Sequence, residues 1–272
     1  MSRTLFIGAL TALSLPPPRL VEAAARAGVA GCGLRLRPAA PGGIAYPLMD
    51  DAAQMRETRA ALAATGMQVF DIEMVRIGPA FDVGAHRGFF DAAAALGARH
   101  VLVAGDDPDE ARTAAAFARV CEALAPLRMT ADLEFMPWTE VRDLAAAARI
   151  VAAAAQPNGG ILVDALHFAR CGATLAALDA VPRERFHYMQ ICDGPAEAPA
   201  TRDGLIHAAR CERLLPGEGG IDLAGLLGRL PAHLPVCIET PSESRAPVLG
   251  WDEWLRRAVA ATRAVLAGLP AA

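Results

Sequence analysis

Short, uninterrupted apolar runs alternate with alanine-rich amphipathic stretches from one end of this chain to the other. That alternation restricts its fold more than any other feature. The runs fall at Leu5–Leu10, Gly31–Arg37, Met67–Glu73, His100–Gly105, Thr130–Phe135, Gly160–Asp164, Phe186–Ile191 and Val236–Thr240. HVLVAG, GGILVD and PVCIET are apolar almost throughout, as strands covered on both faces of a parallel sheet are. Helical periodicity occupies Pro18–Ala27, Asp51–Thr65, Val83–Leu96, Asp107–Ala125, Trp138–Ala155, Thr201–Glu212 and Trp251–Ala267. Asp107-Pro108-Asp109-Glu110 reads as a helix start, and Gly66 and Gly97 as helix stops. Eight strands alternating with helices, repeating about every 30 residues, predict an α/β fold of the (β/α)8 barrel type. A doubly wound sheet would carry a Gly-rich turn after its first strand; Ala9-Leu10-Thr11-Ala12 stands there instead. No linker-like stretch divides the chain, so residues 1–272 are expected to form one barrel domain.

Composition narrows the function. Hydrophobic residues make up 54% and charged residues 21%, a balance that excludes a disordered chain. The formal net charge of −4 argues against a nucleic-acid partner, which needs a surplus of clustered Lys and Arg. No apolar stretch reaches the roughly 18 residues of a membrane span. Arg3 and the apolar residues after it lead into Pro16-Pro17-Pro18 rather than a small-residue cleavage site, so a buried strand is expected there. The six cysteines are scattered without a CxxC pair, which fits reduced thiols in a cytoplasmic protein. The Ala-rich helices leave room for a homo-oligomer, although packing within one barrel explains them equally.

In a barrel of this type the chemistry lies at the C-terminal ends of the strands. Four predicted strands end in a polar residue: Glu134, Asp164, Gln190 and Glu239. Burying even one uncompensated carboxylate costs several kcal/mol, and a divalent cation would remove that cost for all three at once. Three carboxylates and an amide oxygen form a hard donor set suited to Mn²⁺ or Mg²⁺, with Co²⁺ and Zn²⁺ also compatible. The competing expectation is that each acid caps a following helix or pairs with an Arg. His167, one turn past Asp164, is placed to orient a substrate or to sit solvated at a helix start. Arg213 precedes the loop PGEGGID and could hold a substrate hydroxyl, carboxylate or phosphate, or pair with Glu212 or Glu218 at the surface. Glu73 could reach the barrel mouth, and Asp193 could support a metal shell or form a turn. Phe6, Phe135 and Trp138 could wall a sugar-like ring, while His86 and His100 read as structural. Arg35, Arg37 and Arg76, near the ends of the second and third strands, fit either an acidic substrate or the surface. No GxSxG, HExxH, P-loop or Cys/His pair at recognisable spacing is present, which leaves hydrolysis through a serine or cysteine nucleophile unsupported.

From Glu134 to Pro241 above all, the sequence resembles the xylose isomerase-like TIM-barrel superfamily, the sugar phosphate isomerases and epimerases. The family's metal-binding Glu, Asp, His and Glu after strands five to eight match Glu134, Asp164, Gln190 and Glu239. Its Asp-x-x-His step matches Asp164 and His167, and its Arg before a PGxGxID loop matches Arg213. Gln190 departs from the His that many members carry. The resemblance implies an isomerase or epimerase acting on a sugar-like hydroxy-carbonyl substrate through a metal-stabilised enediolate. In that scheme Glu134 and Glu239 take and return a proton, while His167 and Arg213 bind substrate. Related barrels include inosose and dehydroshikimate dehydratases, so a lyase is the alternative, and a non-catalytic ligand-binding barrel is another. The family's endonuclease branch needs His-rich zinc sites and a basic DNA face, which six histidines and a charge of −4 do not offer.

Overall fold

The computed structural model describes residues 3–269 and closes eight parallel strands into a barrel in sequence order. The strands are β1 (Leu5–Ile7), β2 (Gly31–Arg35), β3 (Gln68–Ile77), β4 (His100–Gly105), β5 (Thr130–Glu134), β6 (Gly159–Asp164), β7 (Met189–Ile191) and β8 (Val236–Ile238). Closure is made by β1 pairing with β8, Phe6 opposite Cys237. The helices are α1 (Pro17–Ala27), α2 (Ala52–Thr65), α3 (Arg87–Ala95), α4 (Glu110–Leu124), α5 (Leu144–Ala154), α6 (Ala165–Arg170), α7 (Arg202–Cys211), α8 (Leu223–Arg229), α9 (Ala246–Leu249) and α10 (Trp251–Ala267). None of the described helices is long and apolar enough to cross a membrane.

Two apolar layers follow from the strand alternation. Outward-facing residues such as Ile72, Val101, Val103, Leu133 and Val163 pack against the helices in one large core. Inward-facing Phe6, Phe70, Leu102, Leu162 and Tyr188 fill the barrel, with Phe6 stacked on Phe70 at 3.9 Å. Phe6 and Phe135 are therefore core residues rather than walls of a site. Below the inner layer, at the N-terminal end of the strands, Asp132 accepts hydrogen bonds from His187 at 2.7 Å and Thr130 at 2.5 Å. His100 joins this floor through Thr130 at 2.7 Å. Burial pushes the Asp132 carboxyl up, but the two histidines overcome it and hold the group below its ordinary value. Gly160 makes room for this cluster, because a Cβ there would lie 2.6 Å from His187 Cε1 and 2.8 Å from Asp132 Oδ1.

Several boundaries differ from the sequence expectation. The fifth helix starts at Leu144, not Trp138, because Thr139 binds the carbonyls of Met136 and Val141 and fixes a loop that Asp143 ends by capping Ala146 N–H. The fourth starts at Glu110, capped by Asp109, while Asp107 is engaged by Arg112. β3 runs four residues beyond Glu73, through a register shift against β4 between Ile72 and Val75.

Candidate active site

The strand alternation that points Leu102, Leu162 and Tyr188 inward delivers the next inward positions to the C-terminal mouth. Glu134 ends β5, Asp164 ends β6, Gln190 lies within β7 opposite Asp164, and Glu239 follows β8. All four are at most 4% exposed, so the barrel brings the four predicted ligands together in a dry setting.

Their partners differ, and the differences are informative. Asp164 caps α6 with one oxygen, accepting from His167 N–H at 3.0 Å, and takes Arg213 Nη1 at 2.6 Å on the other. Both bland expectations for this acid, helix cap and arginine pair, are thus met in one residue. Glu239 lies 3.2 Å from Arg213 Nη2 and accepts from Gln190 Nε2 at 3.1 Å. Glu134 has neither kind of partner. Among the described residues its carboxylate receives no hydrogen bond, and its nearest cationic candidate is His167 Nε2 at 3.6 Å. Gln190 Oε1 is buried and without a partner as well.

Arg213 is not at the surface. Its guanidinium is 1% exposed and bonds Ala209 O at 2.7 Å besides the two acids. Glu212 and Glu218, the alternative partners, bind Ser244 and Arg245 instead. Arg35 and Glu73 form a second buried ion pair, Arg35 Nε donating at 2.6 Å. Glu73 Oε1 is left without a partner. Asp193 serves the loop, accepting from the N–H groups of Gly194, Gly217 and Ile221. His167 is buried, packs edge-on against Trp138 at 4.9 Å, and keeps an unpartnered Nδ1. Arg35, Glu134, Trp138, His167, Arg213 and Glu239 line one narrow cavity at the mouth.

Electrostatics mark this cavity off from the rest of the protein. Burial, and then the charges of Asp164 and Glu239, push the Glu134 carboxyl well above its ordinary value. Burial pushes the Glu239 carboxyl to about 8 despite Arg213. Burial also acts on Asp164, but Arg213 and His167 outweigh it and hold that carboxyl low. His167 is pushed down to about 4 by burial, so its ring is neutral at physiological pH. Glu134 and Glu239 line the cavity together with Arg35, Arg76, Arg210 and Arg213, while Asp164 and Glu73 lie behind them, paired with Arg213 and Arg35. The unpartnered Glu134 carboxylate and Gln190 Oε1 are hard oxygen donors of the kind a divalent cation takes. Glu134, Asp164 and His167 offer ligand atoms within 4.8 Å of one another, a spacing that fits a metal ion, and Glu239 and Gln190 lie beside them, joined through Arg213 and to each other.

Residues 21–265 match the family model described as xylose isomerase-like TIM barrel. The chain belongs to that family. No curated protein matches the sequence. Among solved structures, the xylose isomerase-like barrel is shared with a zinc-bound IolI protein at TM-score 0.81 and 17% identity, covering 99% of this chain and 100% of that one. D-allulose 3-epimerase from a Methylomonas species, in complex with D-allulose, aligns at TM-score 0.70 and 16% identity over 96% of both chains. A xylose isomerase-like barrel/4-hydroxyphenylpyruvate dioxygenase fusion protein aligns at TM-score 0.77 and 20% identity over 97% of this chain. This chain spans 42% of that fusion's length. At these identities the likeness concerns the fold alone.

Two residues, one lining the cavity and one beneath it, escape a reading of strand ends. Arg210 lines it from the last turn of α7, three residues before Arg213 and on the same side of the chain. Asp71 lies beneath it, bonded by Tyr188 Oη at 3.0 Å. An acid two residues before Glu73 in an apolar strand was the available signal for Asp71, since positions i and i+2 share a face.

Proposed function

We propose that this protein is a divalent-metal-dependent isomerase or epimerase acting on a sugar or sugar-like hydroxy-carbonyl compound. The observation that carries the reading is the burial of Glu134, Asp164, Gln190 and Glu239 at the barrel mouth, where among the described residues Glu134 receives no hydrogen bond and Gln190 Oε1 has no partner. The all-oxygen set favours Mn²⁺ or Mg²⁺, with Co²⁺ and Zn²⁺ compatible. A bound ion there supplies Lewis-acid polarisation of a carbonyl and its neighbouring hydroxyl.

The chain's own residues do the rest. Glu134 and Glu239 stand on strands three apart around the ring and so approach a bound substrate from different sides. A carboxyl on each side of the substrate can take a proton beside a carbonyl or return one; in the ion-free protein burial raises both, Glu239 to about 8. His167 is neutral and can bond a substrate hydroxyl without adding charge. Arg213 holds Asp164 and Glu239 in place through its two ends. Met74, Leu102, Met136 and Trp138 supply the apolar wall that a carbon skeleton needs and limit the water that reaches it. The epimerase with bound D-allulose supports this reading as a relative in fold.

The test is metal content of protein purified without chelator, followed by turnover of a panel of ketoses and polyhydroxy keto acids read by mass spectrometry. The reading expects one divalent ion per chain and a product of unchanged mass. Loss of one water from the product would make the protein a lyase. Glu239→Gln is expected to abolish turnover; full activity with metal retained would overturn the assignment.

A further inference from the structure

We infer that the mouth of this site anchors an oxyanion, with Arg210 as its principal ligand, so that the substrate is a sugar acid or sugar phosphate rather than a neutral sugar. This rests on the proposed function and deepens it. Arg210 lines both the cavity of the carboxylates and the shallower hollow outside it. Among the described residues its guanidinium makes no hydrogen bond and no ion pair. Every other arginine of the two hollows is engaged. Arg35 pairs with Glu73, Arg213 with Asp164, and Arg76 with Asp106 at 2.5 Å, while Arg202 donates to Trp138 O at 3.2 Å. A cation in the last turn of a helix is favoured by the helix dipole, yet no described carbonyl of α7 accepts from Arg210.

The outer hollow carries an excess of positive charge. Arg76, Arg202 and Arg210 face a single acid, Asp106, and three minus one leaves two positive charges. Partial burial and the charges of Arg76 and Arg35 disfavour the protonated form of Arg210; an incoming anion relieves that repulsion. A second donor is also waiting. The indole N–H of Trp138, which lines both hollows, is buried and has no acceptor. A planar guanidinium and a buried N–H suit a carboxylate or a phosphate, and both bind through the same oxygen chemistry. The polarity also orients the ligand, with its hydroxy-carbonyl end toward the acids and its anionic end toward Arg210.

The test is isothermal titration at fixed ionic strength of the wild type and Arg210→Gln with inorganic phosphate, D-gluconate and the uncharged polyol D-glucitol. The wild type is expected to bind at least one anion in preference to glucitol, and the phosphate and gluconate arms decide which oxyanion the site takes. Arg210→Gln is expected to weaken that binding about tenfold or more, the loss of one charge-assisted contact. A separate Mn²⁺ titration of both proteins reports on the metal site and on folding, and is expected to agree within about twofold. Unchanged anion binding by the variant, or wild type that binds Mn²⁺ but prefers neither anion to glucitol, would overturn the inference. Absence of Mn²⁺ binding would instead count against the proposed metal function while leaving the anion titration readable. If Arg210→Gln does not fold, Arg210→Lys carries the comparison, binding weaker than wild type because an ammonium lacks the planar fork.

Discussion

Replacing Arg213 by Met would test how this site balances its charge in the absence of metal. Met fills most of the volume of the arginine stem and removes the cation. Deleting one partner of a buried ion pair costs about 3–5 kcal/mol, and the titration of Asp164 sets an independent ceiling on that figure. A carboxyl that cannot stay ionised inside the barrel takes up a proton instead. Protonation costs about 1.4 kcal/mol for each pH unit above the group's ordinary value of 3.8. The ceiling is therefore about 4 kcal/mol near pH 7 and about 2 kcal/mol near pH 5. Glu239 adds less, since burial already pushes its carboxyl up to about 8.

The sign of the pH dependence follows from the direction of the Asp164 shift. In the wild type Arg213 holds that carboxyl low, so its contribution is present above the ordinary carboxylate range and is lost as pH falls through the lowered value. Without Arg213 burial acts alone, and the destabilisation of the variant grows as pH rises. Urea unfolding of both proteins in chelator near pH 5 and near pH 7 measures the gap. A gap that is equal at the two pH values, or below about 1 kcal/mol near pH 7, would refute the account. Added Mn²⁺ is expected to narrow the gap by supplying the missing positive charge.

Two further outcomes are expected. Mn²⁺ affinity should rise with pH through the raised ranges of the Glu134 and Glu239 carboxyls, the latter at about 8, because the ion displaces a proton from a carboxyl it binds. Titration calorimetry in two buffers of different ionisation enthalpy reads the released proton, and affinity that ignores pH and buffer would contradict the raised carboxyls. At the other end of the barrel, Gly160→Ala would drive a Cβ to 2.8 Å from Asp132 Oδ1 and so push apart the His187–Asp132 floor. Urea unfolding should show a loss of about 1–3 kcal/mol with Mn²⁺ affinity retained, and stability equal to wild type would show that the floor yields freely.

The barrel was legible because its strands are buried on both faces, so runs such as HVLVAG and GGILVD stand out from the alanine-rich helices around them. Boundaries were legible only where a local residue enforces them. β1 ends at Ile7, three residues short of the apolar run, because Gly8 leads into a 3-10 turn over Ala9–Ala12. α6 has six residues and α8 carries two glycines, Gly225 and Gly228, so neither shows a helical period long enough to see. Glu134, Asp164, Gln190 and Glu239 were readable as a set because polar residues at the ends of apolar strands are anomalous. Their partners were not. Arg213 meets Asp164 across 49 positions of sequence, a pairing that depends on how the loop after β7 returns over the barrel. The same limit hid Arg210, whose significance lies in lacking the kind of partner that every arginine around it has found.

Gln190 gains a physical meaning from these contacts. Its amide nitrogen is committed to Glu239 Oε1, while Arg213 takes the other oxygen of the same carboxylate, and among the described residues the buried Gln190 Oε1 has no partner. A histidine at this point would give an imidazole nitrogen to the metal and could become cationic in mild acid, adding a positive charge next to Arg213. Glutamine does neither, since an amide does not titrate. The charge of the site between pH 5 and 8 is then left to its carboxyls, with the arginines constant and His167 neutral above about 4. In the proposed ligand set, an amide oxygen from Gln190 instead of an imidazole ranks Mn²⁺ and Mg²⁺ higher against Zn²⁺. On that proposal this one residue bears on both the identity of the ion and the pH range over which the site holds it.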